Sequence, residues 1–172
     1  VVGIELLPEP AALASRVLDR VLVGDASAIL ADLQRCGDGF DAIVFADILE
    51  HLVDPWKALV LARHLLVPGG HVIASIPNLR NIRVLHRLVF GGDWTYTDQG
   101  ILDRGHLRFF THRTVSQAFT AAGFGKIEMM TQGDHDLRSR LVAMLAALAI
   151  GQPHRTAELN AVQFLVRAQT AA

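Results

Sequence analysis

The stretch Phe40 to His51, FDAIVFADILEH, constrains the fold more than any other part of the chain. Its apolar run Ala42 to Ala46, with Ile43, Val44 and Phe45, has the composition of a strand buried on both faces, and such a strand lies inside a sheet. The run stops abruptly at Asp47, with Glu50 and His51 close behind, so three ionisable groups fall within five residues. Polar groups crowded at the carboxyl end of a parallel strand sit where open α/β sheets bind ligands.

The neighbouring segments fit that sheet. Val1 to Leu6 reads as a buried strand closed by Pro8, and Pro8 to Val17 as a helix with Leu13 and Val17 on one face. A short strand, Val21 to Val23, stops at Gly24-Asp25, and Ser27 to Gln34 is helical by the spacing of Ile29, Leu30 and Leu33. Asp54-Pro55 is a helix start, with Trp56, Leu59, Val60 and Leu66 as its inward stripe and Pro68-Gly69-Gly70 as its end. The strand His71 to Ile76 follows, and Asn81 caps a helix with apolar Ile82, Leu85, Leu88 and Val89. Strands alternating with helices through short loops predict a doubly wound, mostly parallel α/β sheet with helices on both faces.

Beyond Gly92 the pattern changes. Residues 93–112 hold Trp94, Tyr96, Asp98, Asp103, Arg104, His106, Arg108, Phe109 and Phe110, a concentration more typical of a functional loop than of a connector. Thr114 to Ala122 is a further helix, Lys126 to Met130 a strand, and Ala161 to Gln169 a strand that buries Val162, Phe164 and Val166 and pairs antiparallel near an edge. Leu137 to Ile150 is apolar on nearly every side, so it is either well buried or covered by a partner. The expected organisation is one domain over residues 1–172, with a substrate-side insertion at about 78–112.

Bulk properties exclude several classes. The chain of 172 residues is 51% hydrophobic and 19% charged, which describes a globular domain with a sizeable core. A net charge of −1 supplies no field for a long polyanion, so nucleic-acid binding is not favoured. Cys36 is the only cysteine, which excludes a disulfide framework, and the longest apolar segment, Leu141 to Ile150, is too short for a membrane span. With no signal peptide visible, a cytoplasmic location is expected.

Three acids end three successive strands: Glu5, Asp25 and Asp47. Along one sheet edge such carboxylates can accept hydrogen bonds from vicinal ribose hydroxyls or an exocyclic amine. Together with EHLVDPWKAL, LLVPGGHVIASIPN and DRGHLRFFT, they make the chain resemble, over nearly its whole length, the class I S-adenosylmethionine-dependent methyltransferases. The similar branch includes ubiquinone-pathway O-methyltransferases and methyltransferase domains of bacterial surface-glycan gene clusters. The resemblance implies a Rossmann-like methyltransferase fold and methyl transfer from S-adenosyl-L-methionine, most readily to an oxygen of a small molecule or glycan. It implies that Glu5 holds the ribose hydroxyls and that Asp25 with Ala26 holds the adenine edge. Asp47 would border the methionine end, with Ile48 and Leu49 lining the pocket.

The family's first strand and glycine-rich loop should precede Glu5 and are absent from these residues, so the chain is expected to be incomplete at its N-terminus. Two interior strand edges would then be exposed, to be covered by a second copy or by the missing N-terminal segment. A non-catalytic interaction module that has lost its cofactor is one alternative. A metal-dependent RNA 2′-O-methyltransferase is another, because the resemblance allows Asp47, Glu50, His51 and His106 to hold a divalent cation such as Mg. In the catalytic reading, His51 or His106 acts as general base on the acceptor hydroxyl. His64, His71, His86, His112, His135 and His154 are read as surface groups.

Overall fold

Side-chain caps set most helix starts. Asp25, Asp54, Asn81, Thr111 and Asp136 each precede a helix and accept a hydrogen bond from a backbone N–H of its first turn. Thr111 and Thr114 satisfy each other's backbone donors in a reciprocal box. The computed structural model describes residues 1–133 and 136–170. It contains β1 (Val2–Glu5), α1 (Pro8–Ala14), β2 (Arg20–Val23), α2 (Ala26–Cys36) and β3 (Phe40–Ala46), then a 3-10 turn (Leu49–His51), α3 (Pro55–Leu65) and β4 (Leu66–Pro77). Next come α4 (Ile82–Gly91), α5 (His112–Ala121), β5 (Phe124–Gly133), α6 (Leu137–Ala149), a second 3-10 turn (Pro153–Arg155), α7 (Thr156–Asn160) and β6 (Ala161–Thr170).

Two helices differ from expectation. Helix α1 ends at Ala14, not Val17, because the next amides of Arg16 and Val17 bond three residues back in a tightened turn. In α3 the inward stripe is Ala58, Leu59, Leu61, Ala62 and Leu65, whereas Trp56 and Val60 face outward. Trp56 is retained outside by the Arg108 guanidinium, 5.9 Å above its ring, and Leu66 opens β4 instead of closing the helix.

The sheet is in two pieces. Strands β1 and β2 pair in parallel, and a second sheet runs β3-β4-β6-β5. Within it β3 and β4 are parallel, while β6 is antiparallel to both β4 and β5, so β3, β4 and β5 run one way and β6 alone of these four runs against them. No ladder joins β1 to β3 among the described residues.

Register divides the four-stranded sheet into two unlike faces. The row Phe45, Ala74, Val166 and Met129 points into the main core, packed under α2, α3 and α5. The next row, Val44, Ile73, Arg167 and Glu128, points the other way. Val44 there is 61% exposed, and Met130 in the following row is 66% exposed. The run Ala42 to Ala46 is therefore buried on one face only, with Val44 and its β4 neighbour Ile73 both exposed. Its apolar composition misled because a run of this kind does not tell whether one face or both is covered. In β6, Phe164 and Val166 are buried as expected, but Val162 is exposed, because the register shift between Gln132 and Gly133 turns Ala161 inward instead.

A satellite cluster joins Ala143 and Ala147 of α6 to Leu159 of α7, with Ile82 and Leu85 of α4 packed against it. Helix α6 buries only small side chains there. Among the described residues no helix is long and apolar enough to cross a membrane.

Candidate active site

Strand β3 delivers Asp47 into a left-handed backbone conformation, φ 52°, at its carboxyl end. For a side chain with a Cβ that conformation costs of order 1 kcal/mol, and here it is held from both sides. The Asp47 amide donates to Ser75 Oγ (2.9 Å) on β4, and its carboxylate accepts from the Gln163 side-chain amide on β6. The reversal lets the 3-10 turn that follows carry Leu49 and Glu50 inward. Leu49 is sealed in the main core, so of the two residues expected to line a cofactor pocket only Ile48 presents surface.

Glu50 is 1% exposed, and neither of its carboxylate oxygens has a hydrogen-bond partner. Burial pushes its pKa up to about 7 from 4.5; its own backbone N–H opposes that shift, and the nearby Asp47 charge adds to it. The insertion closes over this group. The Glu50 carbonyl accepts from the amides of Leu107 (2.8 Å) and Arg108 (3.0 Å), which pins 106–108 onto the turn. His106 is thereby buried with Nε2 at 4.0 Å from Glu50 Oε1.

Both histidines are oriented by carbonyl oxygens. His106 Nδ1 lies 3.0 Å from the Ile101 carbonyl and His51 Nδ1 3.0 Å from the Gly105 carbonyl. A carbonyl can only accept, so Nδ1 of each ring donates and each neutral imidazole is left with its lone pair on Nε2. The rings meet edge to face at 4.7 Å. Gly105 allows this approach: a Cβ there would lie 3.0 Å from His51 Nδ1. Ligand atoms of Glu50, His51 and His106 fall within 4.8 Å of one another. Asp47, expected to join them, instead engages Gln163, although it lines the same cavity.

That cavity, of about 240 Å³, is lined by Asp47, Glu50, Pro77, Gly100, Ile101, His106, Val162 and Gln163. His106 faces it; His51 lies behind and is exposed. The part played by β6 was not readable from spacing. Asn78, fully buried, donates to the carbonyls of Glu158 (2.8 Å) and Ala161 (2.9 Å), and Asn81 donates to Ala161 (3.0 Å), so two amides fix the start of β6. This places Val162 and Gln163 in the cavity wall. The pair of asparagines flanking the end of β4 was the available signal.

In the two-stranded piece of the sheet Glu5 and Asp25 follow the paired strands β1 and β2. One oxygen of Glu5 accepts from the Leu7 amide (3.1 Å), and one of Asp25 caps α2 through Ala28 (3.0 Å), where Ala26 opens the helix. Each carboxylate has a second oxygen with no hydrogen bond among the described residues. These free oxygens suit a ribose diol and an adenine amine, so the chain fits the adenosine half of the expected cofactor. No glycine-rich turn stands beside them among the described residues. Of the histidines read as surface groups, His64, His86 and His112 are exposed and His71 is half-buried, its ring beside Arg167 (2.7 Å). His135 lies outside the described residues, as does the side chain of His154.

The profile of a methyltransferase domain family matches residues 1–128. A ubiquinone biosynthesis O-methyltransferase of Cereibacter sphaeroides is 35% identical over 63 residues, 37% of this chain and 25% of that protein. The match thus spans about a quarter of the relative's length. A SAM-dependent methyltransferase of Archaeoglobus fulgidus superposes with a TM-score of 0.70 at 14% identity, covering 98% of this chain and 75% of the other. One from Thermotoga maritima gives 0.63 at 17% identity, covering 99% and 72%. These structural likenesses carry the fold, which is α/β and Rossmann-like.

Proposed function

Because the chain belongs to the methyltransferase domain family, we propose that the protein transfers a methyl group from S-adenosylmethionine to an oxygen of a small molecule or glycan, with His106 as general base. The observation that carries the assignment of the base is the buried His106 ring, which lines the cavity and whose Nδ1 is occupied by the Ile101 carbonyl, leaving Nε2 beside Glu50. S-adenosylmethionine supplies the electrophilic methyl group when bound. Glu5 and Asp25 would hold its ribose and adenine through the oxygens that the turn and cap leave free. His106 Nε2 would take the acceptor's hydroxyl proton as the acceptor oxygen bonds the methyl carbon and the methyl–sulfur bond breaks, with S-adenosylhomocysteine as the leaving group, and an ionised Glu50 at 4.0 Å would stabilise the resulting imidazolium. His51 orients the neighbouring ring and the Gly105 turn.

A cation is a second reading, favoured by the orphaned Glu50 oxygens beside the rings of His51 and His106. Two imidazoles and one carboxylate suit Zn or Mn better than Mg. Among the described residues one edge of β1 and one of β3 have no ladder partner, and we infer that a further strand, from a second copy or from a segment outside these residues, pairs with them.

Calorimetry with S-adenosylhomocysteine, on this chain and on one extended at its N-terminus, tests the proposal. Binding to the extended chain should weaken about tenfold or more in Glu5→Ala, which removes charge-assisted hydrogen bonds, and should hold in His106→Gln. An extended chain that binds no S-adenosylhomocysteine would contradict the methyltransferase reading.

A further inference from the structure

Helix α6 is built inside out. The side it turns to the protein carries Ser139, Ala143 and Ala147, all buried, while Leu137, Leu141, Val142, Met144, Leu145 and Leu148 face outward and are exposed. Leu145 is 61% exposed. At 100° per residue these six positions fall within one arc of less than half the helix circumference, which also holds Arg138. An ordinary surface helix has the opposite polarity, with its large apolar groups in the core. The small inner face is what lets Ile82 and Leu85 of α4 and Leu159 of α7 pack closely against α6.

Helix α4 extends the patch. Val89 lies on the same stripe as Ile82 and Leu85, one turn beyond the α6 contact, and is exposed, as are Leu88 and Phe90 (79%). Charge on this surface has one sign. Helices α4 and α6 contain Arg83, Arg87, Arg138 and Arg140 and no Asp or Glu. Arg83 and Arg87 are paired with Asp136 and Asp93, but Arg138 and Arg140 form no ion pair among the described residues.

We propose that the outer face of α6, with the exposed end of α4, docks in the plane of an anionic lipid bilayer. The leucines enter the boundary between headgroups and acyl chains, and Arg138 and Arg140 meet lipid phosphates. Three observations favour this occupant. The patch is a ridge on a helix surface, which needs a deformable partner and not a shape-matched groove. Apolar groups with one uncompensated arginine among them and one beside them suit an interfacial helix, because the long arginine stems let the guanidinium groups reach the headgroups. A symmetric second copy would set Arg138 and Arg140 against their own equivalents. At thirteen residues α6 is too short to span, so it lies on the surface.

Vesicle flotation tests this, using phosphatidylcholine vesicles with and without phosphatidylglycerol, at low and high salt. The chain should float with the anionic vesicles and far less with the neutral ones. The double variant Leu145→Ser/Leu148→Ser should lower partitioning at least about tenfold, and Arg138→Gln/Arg140→Gln about fivefold per arginine on anionic vesicles only. Val17→Ser, at an exposed apolar residue in the turn after α1, should change nothing. Phe90→Ser provides an independent apolar variant on α4, and far-UV circular dichroism confirms that each variant is folded. Absence of flotation with either vesicle would overturn the proposal. So would flotation insensitive to both the leucine and Phe90 variants, which would signify charge adsorption alone. Lipid-free self-association in sedimentation, abolished by the leucine variant, would assign the face to a second copy and overturn it equally.

Discussion

Carboxylates follow strands in both pieces of the sheet, and their surroundings divide them. Glu5 and Asp25 each spend one oxygen on a nearby amide and leave the other without a hydrogen bond among the described residues. Glu50 is fully enclosed and spends neither. The first arrangement serves turn and cap as well as it would serve a ligand, so it carries functional weight only with the family. The second has no structural benefit. An unpaired buried carboxyl costs about 1–3 kcal/mol, which points to a role beside His106 and the cavity.

The largest expected effect breaks the symmetry between the two histidines. His106→Gln should lower turnover by about 100- to 10,000-fold, the range for loss of a general base, with S-adenosylhomocysteine affinity unchanged. His51→Gln should cost clearly less, because that ring is exposed and does not line the cavity. Equal losses, measured by transfer of labelled methyl groups, would dissolve the distinction.

Next is the pH dependence of stability in metal-free buffer. The folded pKa of Glu50, about 7, lies above its unfolded value of 4.5, so the folded state holds the proton more tightly. The contribution is present below pH 4.5 and is lost as pH rises through 7, a fall of ~3 kcal/mol. Glu50→Gln should flatten this part of the profile and be the more stable protein at pH 8. Urea unfolding of both proteins across that window reads the difference directly, and parallel profiles would remove Glu50 from the account.

A smaller effect is expected at the start of α2. Asp25→Ala removes an N-cap and should cost about 1 kcal/mol, with little of the pH slope that Glu50 produces. Chemical denaturation near neutral pH checks it, and a cost of several kcal/mol would show that Asp25 is buried in a network like that of Glu50.

How much of this was legible in the sequence follows from range. The carboxyl ends of β1, β2 and β3, the Asp54-Pro55 start and the Asn81 cap are local, and the structure places them where the residues indicate. The exposure of Val44 and Trp56 was not legible, because one depends on which strands neighbour β3 and the other on Arg108, which reaches over from the insertion. The spacing of Glu50 and His51 could be read, and their convergence with His106 anticipated through the resemblance. The burial of Glu50 could not, since it is produced when Leu107 and Arg108 bond to its carbonyl. Gln163 was beyond reach for the same reason: it meets Asp47 from 116 residues away.

The most direct test is the tautomer of His106. Long-range nitrogen–proton correlation spectra of the imidazoles, recorded at pH 8.5 with His106→Gln and His51→Gln to assign the signals, report which ring nitrogen carries the proton. The expected result is Nδ1–H for both residues, with Nε2 of His106 bare and beside Glu50. An Nε2–H tautomer at His106 would leave no lone pair to receive the acceptor's proton and would contradict the assignment of that ring as the base.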